Sequence, residues 1–492
     1  MAKCIMVQGT MSGAGKSLLT AALCRIFHKK GYRTAPFKSQ NMALNSFVTL
    51  DGLEMGRAQA VQAQAAGLKP DIRMNPILLK PSSDTGSQLI VNGRVRGNYT
   101  AREYYQMKSS LIPAILAAYE SLAAENDIIV IEGAGSPAEI NLKSDDIVNM
   151  GLAKMVNAPV LLVGDIDRGG VFAQIYGTVE LLEPEERRRI VGTVINKFRG
   201  DADILQTGLA MLEEKTGIPV IGVIPYSKAK IDEEDSLAPE LNETRVQKLI
   251  DIAVARLPRI SNFTDFTPLE YHPAVGVRYV HNARELGKPD FVILPGTKNT
   301  MEDLLWLRQN GLEAAILKLA ARGVPLLGIC GGFQMLGEEI SDPKGIEHGG
   351  VLSGMGLLPC RTVFEEEKMR SRVSGRNFAE PFFGAAVEGY EIHMGQTTGT
   401  AEPFNLLEDG RLEGAAAGNV FGTYLHGIFD SGELTEKLAE WLMKRKGISP
   451  GSVRVESHKE YQERQFDLLA AEVRAALDME AVYLAMEAYK GR

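Results

Sequence analysis

Short apolar runs, breaks containing glycine, aspartate or proline, and stretches with helical periodicity follow one another through the first half of the chain. This order is typical of parallel α/β units, in which each buried strand is followed by a helix. After the first run, Leu19, Leu23 and Ile26 recur every three to four residues up to Gly31, which predicts an amphipathic helix that ends at a glycine. The strands predicted for this half are residues 4–8, 34–37, 127–131, 159–163, 190–195 and 220–224.

The pattern stops between residues 227 and 247, where charged residues without a sustained period predict a linker. A second α/β series follows, and the chain from residue 434 onward is mostly charged with helical periodicity. The strands predicted for this series are residues 252–255, 275–280, 291–294 and 325–329, with extended candidates at 390–393 and 420–425. We therefore expect two doubly wound α/β domains and a helical C-terminal extension. The predicted boundaries are 1–228 for the first domain, 229–249 for the linker, 250–440 for the second domain and 441–492 for the extension.

A glycine-rich loop, GTMSGAGKS over residues 9–17, follows the first predicted strand and opens the first helix. Backbone N–H groups of such a loop, with the helix N-terminus behind it, surround phosphate oxygens. In this arrangement Lys16 reaches the terminal phosphates of a nucleotide and Ser17 supplies an oxygen to Mg²⁺. Gly9 and Gly15 enclose five residues, whereas the generic motif has four. The alternative is a glycine turn that binds no ligand.

Cys330 lies at the end of a predicted strand between Gly328 and Gly332. Two flanking glycines permit the sharp turn of a nucleophile elbow, and a helix N-terminus at the thiol favours the reactive thiolate. The backbone amide of Gly331 can donate to an oxyanion, and Gly296, at another strand end, can contribute a second donor. The alternative is a buried core cysteine.

The general base for such a thiol is expected to be a histidine that is distant in sequence. His426, at the end of a predicted strand and followed by Gly427, is the first candidate, and His393 is the second. A histidine buried for structural reasons is the alternative for His426.

Composition excludes several other classes of protein. The 492 residues are 45% apolar and 24% charged, which is typical of a globular chain, and the net charge of −8 argues against a broad nucleic-acid or anionic-membrane surface. Four cysteines without a CxxC pair favour a reducing compartment, and neither a signal peptide nor a run of eighteen apolar residues is present. We expect a cytoplasmic protein with no nucleic-acid or membrane partner, and the sequence leaves open whether it forms a homo-oligomer.

The longer phosphate loop resembles that of the dethiobiotin synthetase type, whose members phosphorylate a carboxylate. The resemblance implies that Glu132, after a later strand, helps Ser17 to hold Mg²⁺, with Asp51 as a second acidic candidate. It further implies that Lys38 neutralises phosphate charge and that Asn196 contacts adenine. An exposed ion pair is the alternative for Lys38 and Asp51. The residues expected to bind ATP are then Gly9, Thr10, Gly13, Gly15, Lys16, Ser17, Lys38 and Asn196.

The second half resembles class I glutamine amidotransferases, in which a cysteine attacks the side-chain amide of glutamine and releases ammonia. The resemblance implies that Gln334 contacts the glutamine substrate. The usual acid two residues after the histidine is absent, because Ile428 stands there, and this absence is similar to the cobyrinate and cobyric acid synthase branch. Long segments over nearly the whole chain resemble the cobyric acid synthases of that branch, namely residues 37–45, 54–60, 75–84, 132–139, 164–170 and 389–395. Gly13 departs from that family, which often has aspartate there.

The resemblance implies an ATP- and glutamine-dependent amide ligase of cobalamin biosynthesis, with Mg²⁺ and with L-glutamine and a corrinoid as small-molecule partners. The expected reaction amidates the b, d, e and g carboxylates of adenosylcobyrinic acid a,c-diamide through acyl phosphates. Polar residues in 39–45 and 75–84 are candidate corrinoid contacts, with ordinary loop polarity as the alternative. Two other functions remain open: a cobyrinic acid a,c-diamide synthase, and a P-loop ATPase with a regulatory appended domain.

Overall fold

A computed structural model describes residues 2–81, 86–231, 248–449 and 458–489. The chain forms two compact units. The first unit comprises Met1–Ala43, Leu53–Ile231 and Gln462–Arg492, and the second comprises Leu44–Gly52 and Asp232–Tyr461. Most of the predicted linker, together with residues 82–84 of the candidate corrinoid-contact segment 75–84, lies outside the described residues. The predicted domain boundaries stay predictions.

Strands and helices alternate through both units. The strands are β1 Lys3–Gly9, β2 Thr34–Phe37, β3 Gln40–Met42, β4 Ser46–Val48, β5 Glu54–Gly56, β6 Ile77–Pro81, β7 Gly86–Val91, β8 Arg94–Thr100, β9 Ile128–Glu132, β10 Val160–Asp165, β11 Ile190–Phe198, β12 Val220–Pro225, β13 Ile250–Ala255, β14 Val275–Val280, β15 Phe291–Leu294, β16 Leu326–Ile329, β17 Glu339–Asp342, β18 Gly350–Ser353, β19 Cys360–Asn377, β20 Ala386–Gly399, β21 Asn405–Leu407, β22 Leu412–Glu413, β23 Ala415–Ala417, β24 Val420–Thr423 and β25 Leu425–His426. The α-helices are α1 Lys16–Lys29, α2 Arg57–Ala65, α3 Ala101–Met107, α4 Ile112–Glu125, α5 Met150–Met155, α6 Val171–Leu181, α7 Pro184–Arg187, α8 Gln206–Thr216, α9 Thr267–Glu270, α10 Ala283–Leu286, α11 Thr300–Gln309, α12 Leu312–Ala320, α13 Gly331–Leu336, α14 Glu433–Arg445, α15 His458–Ala476 and α16 Met479–Ala488.

The first unit is built on a six-stranded sheet in the order β12-β11-β10-β1-β9-β2, and all of its neighbouring strands are parallel. Its central strand β1 is buried along almost its whole length, as expected for a parallel strand that is covered on both faces. A smaller sheet, β3-β6-β7-β8, is inserted between β2 and β9 of the chain. The carboxyl end of β1 leads into the glycine-rich loop, so the fold places this loop at the sheet edge where α/β proteins bind ligands.

The C-terminal helices complete the first unit. Phe466, Leu469 and Val473 of α15 are buried in the same apolar core as α1 and β1. The Arg25 guanidinium of α1 pairs with Glu463 at 2.6 Å and with Asp467 at 2.8 Å. The predicted helical extension is therefore present, and from residue 462 onward it packs on the first unit.

The second unit contains a six-stranded sheet in the order β14-β13-β15-β16-β24-β23, parallel except for β23. A second, mixed sheet has the order β18-β17-β19-β20-β25; β21 also pairs with β19, and β22 pairs with β21. Strands β13, β15, β16 and β24 end at one edge of the parallel sheet, where their following loops meet. The predicted fold class of two α/β domains is confirmed. In the described parts of the chain, no helix has the length and apolar character needed to cross a membrane.

Candidate active sites

The glycine-rich loop of the first unit packs against the side chain of Asn196. Gly15 has φ 92°, a left-handed conformation that glycine adopts without strain, and α1 starts at the next residue. A Cβ on Gly15 would lie 2.1 Å from Asn196 Nδ2, so a side chain does not fit there. Asn196 Nδ2 donates a hydrogen bond to the Ala14 carbonyl at 2.9 Å. The structure thus brings Asn196 of β11 to the glycine-rich loop, while its predicted contact with adenine stays a prediction.

Lys16 lies across this loop. Its Nζ donates to the carbonyls of Met11 at 2.9 Å and Gly135 at 3.0 Å. Burial lowers the pKa of Lys16 to about 8, against the opposing effect of the Glu132 charge and together with the nearby Lys38 charge. An ammonium held at this position by neutral carbonyls is well placed to gain a phosphate as a stronger, anionic partner.

Glu132 is the centre of a buried polar cluster. Its Oε1 accepts hydrogen bonds from Ser17 Oγ at 2.9 Å and Lys38 Nζ at 2.7 Å, and its Oε2 accepts from Gln62 Nε2 at 2.5 Å. Burial alone would raise the pKa of Glu132, but the Lys38 charge and the three hydrogen bonds hold it below its ordinary value. An ionised carboxylate beside a serine hydroxyl supplies the hard oxygen donors that Mg²⁺ prefers. The sequence predicted Ser17, Lys38 and Glu132, and it missed Gln62.

Three other predicted residues are less directly placed. Gly9 ends β1, and Thr10 Oγ1 donates to Gln174 at 3.2 Å, so both lie at the loop. Asp51 is exposed and belongs to the Leu44–Gly52 segment of the second unit. Its role as a metal ligand therefore stays a prediction that the cluster around Glu132 does not test.

Sequence reasoning missed Lys197 and Asp165, an ion pair that contacts the glycine-rich loop. Lys197 Nζ donates to the Gly13 carbonyl at 2.7 Å and to Asp165 Oδ2 at 3.0 Å. Asp165 is fully buried at the end of β10. Its position just after a predicted strand could have indicated that it lies near the loop, because the carboxyl ends of parallel strands lie at one sheet edge.

Cys330 occupies a strained turn in the second unit. Its φ and ψ are 52° and −109°, between the end of β16 and the start of α13. A Cβ on Gly328 would lie 2.6 Å from the Gly332 backbone, and one on Gly332 would lie 2.0 Å from the Leu294 carbonyl oxygen. Close backbone approach thus explains both glycines. The predicted nucleophile elbow has the strained geometry that is typical of nucleophiles at such turns.

His426 stands between this thiol and a buried carboxylate. His426 Nδ1 lies 2.7 Å from Asp265 Oδ2, and the Cys330 side chain is hydrogen-bonded to the same imidazole. Burial alone would lower the pKa of His426, but the Asp265 charge and the hydrogen bonds to Asp265 and Cys330 raise it to about 10. Asp265 Oδ1 also accepts from the Gly427 N–H at 2.9 Å. The geometry is that of a nucleophile, a base and an orienting acid.

Asp265 is the acid that the sequence did not reveal. It lies 161 residues before His426 in the chain, in the loop after β13, within a short 3-10 helix, Phe263–Phe266. The usual pattern places the acid two residues after the histidine, so a search by spacing cannot find it. The available signal was its position after β13, a neighbour of β15, because parallel strands end at one edge of the sheet.

The predicted oxyanion and glutamine residues lie near His426 and the elbow. A Cβ on Gly296 would lie 2.8 Å from His426 Cε1, and one on Gly331 would lie 2.7 Å from Thr297 Cγ2. Gln334, one turn after Cys330, accepts from Thr300 Oγ1 at 3.0 Å and donates to the Tyr424 hydroxyl at 3.2 Å. The loop after β15 therefore adjoins the elbow, while the oxyanion and glutamine-binding roles stay predictions.

His393, the second candidate for the base, has a different environment. Its Nδ1 lies 2.7 Å from the Gly395 carbonyl oxygen, and its ring stacks on Tyr424 with centroids 3.7 Å apart. Burial lowers the pKa of His393. Because His426 has both the thiol and the carboxylate, the geometry favours His426 as the base.

Comparison with known proteins matches each half of the chain to a protein family. A family model described as a CobQ/CobB/MinD/ParA nucleotide binding domain matches residues 5–238, and one described as a CobB/CobQ-like glutamine amidotransferase domain matches residues 251–434. The chain is 57% identical to the cobyric acid synthase of Ruminiclostridium cellulolyticum over 99% of this chain and 98% of the relative. It is 55% identical to that of Lachnoclostridium phytofermentans, covering 99% of each chain, and 53% identical to that of Streptococcus sanguinis, covering 98% of each. The chain therefore belongs to the cobyric acid synthase family.

Proposed function

We propose that this protein uses ATP and glutamine to amidate the b, d, e and g carboxylates of adenosylcobyrinic acid a,c-diamide, giving adenosylcobyric acid. The observation that carries the proposal is the buried Cys330–His426–Asp265 arrangement in a chain that also has a phosphate loop with Lys16. A P-loop ATPase with a regulatory domain has no use for such a thiol. The relatives named cobyric acid synthase support this choice of corrinoid reaction.

In the second unit, the Cys330 thiolate attacks the side-chain amide carbon of glutamine. The carbonyl electrons move to oxygen, which the Gly331 amide and the loop at Gly296 are placed to stabilise. The His426 imidazolium gives its proton to the departing ammonia, and a glutamyl thioester remains. His426 then takes a proton from water, whose oxygen attacks the thioester and releases glutamate and the thiolate. Asp265 fixes the imidazole orientation through both proton transfers.

In the first unit, the loop at Lys16 binds the phosphates of ATP, and a corrinoid carboxylate oxygen attacks the γ-phosphorus to give an acyl phosphate and ADP. Ammonia then attacks the acyl carbon and phosphate departs. Mg²⁺ would be held by Ser17 Oγ and Glu132, where it would neutralise phosphate charge. The anionic state of Glu132 and its 2.9 Å approach to Ser17 fit that role.

The partners and compartment belong to the same proposal. The substrates are small molecules, L-glutamine and a corrinoid, and we place the reaction in the cytoplasm. All four cysteines are buried and none forms a disulfide, as in proteins of a reducing compartment.

The experiment that tests the proposal separates the two nitrogen sources in Cys330→Ala. The substitution removes only the thiol, at a turn whose shape depends on Gly328 and Gly332, so the fold should be kept. The synthase reaction should survive, because the phosphate loop belongs to the first unit. We expect glutamine to support no amidation while added ammonium chloride still does. Normal glutamine-dependent turnover in this variant would reject the assignment of Cys330 as nucleophile.

A further inference from the structure

The Leu44–Gly52 segment belongs to the second unit, although Ala43 and Leu53 on either side of it belong to the first. Residues 45–49 are buried to within 5% exposure, whereas the side chain of Leu50 is 62% exposed. The first half of the sequence thus contributes a buried segment to the unit that holds Cys330.

This segment forms a closed hydrogen-bond network with two residues of the second unit. Asn45 Oδ1 accepts from the backbone N–H of Asn262 at 2.5 Å. The Ser46 carbonyl accepts from the Tyr390 hydroxyl at 3.0 Å and from Asn262 Nδ2 at 3.4 Å. Asn262 Nδ2 also donates to the Tyr390 hydroxyl at 2.7 Å. Asn45 and Ser46 therefore fix Asn262 and Tyr390 relative to each other.

The same two residues contact both sides of the catalytic pair. Asn262, at φ 54°, caps the Phe263–Phe266 turn that carries Asp265, and its carbonyl accepts from the Asp265 N–H at 2.9 Å. The Tyr390 ring lies against the His426 imidazole, with centroids 5.5 Å apart and planes 27° apart. One arm of the network thus reaches the acid and the other reaches the base.

We propose that residues 45–47 are positioning residues of the glutaminase site and that they couple its activity to the nucleotide-binding unit. Phe47 extends the contact, because its ring lies 5.7 Å from that of Tyr390. Both ends of the segment continue into the first unit, so a change of conformation there on binding ATP and corrinoid would pass along the chain to Asn262 and Tyr390. This inference rests on the proposed function.

The test uses the full chain with Asn45→Ala and Tyr390→Phe, and with Leu50→Ala as the matched control from the exposed part of the segment. Tyr390→Phe removes the hydroxyl but keeps the ring against His426. This variant still tests the inference if Asn45→Ala fails to fold. In the wild type and Leu50→Ala, ATP and corrinoid should raise glutamine hydrolysis several-fold. In the two network variants, we expect hydrolysis to fall by about ten- to a hundredfold, with the stimulation lost. Ammonia-supported amidation should stay at the wild-type level.

A second readout distinguishes positioning from general stability. The pH dependence of Cys330 alkylation by iodoacetamide can be followed by peptide mass spectrometry. In Asn45→Ala and Tyr390→Phe the rate should rise only at higher pH than in the wild type, because a misplaced Asp265 supports the imidazolium less well. Unchanged hydrolysis and alkylation, an equal loss of ammonia-supported amidation, or a wild type without stimulation would each overturn the inference.

The proposed function is checked in the same assay. If wild-type protein forms amidated corrinoid from glutamine and Cys330→Ala forms it only from ammonia, the proposed function stands whatever the network variants do. If the wild type forms none, both the proposed function and the inference fail.

Discussion

Asp265→Asn removes the charge that supports His426 and keeps the shape of the side chain. Asp265 Oδ2 lies 2.7 Å from His426 Nδ1, and both side chains are almost fully buried. Without the anion, burial favours neutral imidazole, and the amide can also impose the wrong tautomer on the ring. Replacing the orienting acid of such a triad by its amide raises the barrier of the chemical step by about 3–5 kcal/mol, which corresponds to about 10²- to 10⁴-fold in rate. We expect the kcat for glutamine hydrolysis to fall by that amount.

The assay measures glutamate release and corrinoid amidation from glutamine and, separately, from ammonium chloride. Ammonia-supported amidation should be unchanged, because the first unit carries that chemistry. Asp409→Asn, on an exposed carboxylate of the same unit, is the matched control and should behave as the wild type. An Asp265→Asn rate within about threefold of the wild type, less than 1 kcal/mol, would refute the reasoning.

For the same variant we also predict how the loss of folding stability depends on pH. The pKa of His426 is about 10 in the folded protein and about 6.5 in an unfolded chain. The folded state therefore retains the proton as pH rises, and the stabilisation is fully present below about pH 6.5 and is lost as pH passes through about 10. Urea unfolding should show a larger difference between wild type and Asp265→Asn at pH 6 than at pH 10.5. An equal difference at both values would contradict the charge assigned to His426.

Other substitutions test the remaining parts of the two sites. Lys16→Ala should abolish amidation from either nitrogen source while glutamine hydrolysis persists; retained ammonia-supported synthesis would remove the loop from the mechanism. Glu132→Gln should raise the Mg²⁺ concentration needed for half-maximal amidation, and an unchanged Mg²⁺ titration would leave Glu132 a structural residue. Gly296→Ala places a methyl group 2.8 Å from His426 Cε1, so glutamine hydrolysis should fall by about a hundredfold with ammonia-supported synthesis intact. Wild-type hydrolysis in Gly296→Ala would show that the loop at Gly296 can shift without loss of activity and that its closeness to His426 has no role in catalysis.

Local chemistry explains what the sequence could predict. Buried parallel strands are continuous apolar runs, so β1, β2, β14 and β15 were predicted within one residue at each end. The glycine-rich loop and the Cys330 elbow are also local, because each requires glycines at fixed offsets from a reactive side chain. These features can be recognised without knowledge of which strands are neighbours.

The parts that were not predicted depend on contacts across the chain. Asp265 meets His426 only because β13 and β24 lie in one sheet, and Gln62 meets Glu132 only because α2 packs beside α1. Asn45 was considered as a corrinoid contact, yet its Oδ1 accepts a hydrogen bond from Asn262, 217 residues away. No local periodicity encodes such a pairing. Strand β19 was missed because much of its length is exposed or half-buried and carries charged residues. Strand β20 was predicted only at residues 390–393, around its most buried stretch, because its C-terminal end is polar and largely exposed.

Mass spectrometry of the corrinoid product tests the central claim most directly. Purified protein is incubated with ATP, adenosylcobyrinic acid a,c-diamide and glutamine labelled with ¹⁵N at the side-chain amide. We expect a product with four new amides, each carrying the label, and none when ATP is omitted. An unchanged a,c-diamide would contradict it, and two new amides formed only from cobyrinic acid would identify an a,c-diamide synthase instead.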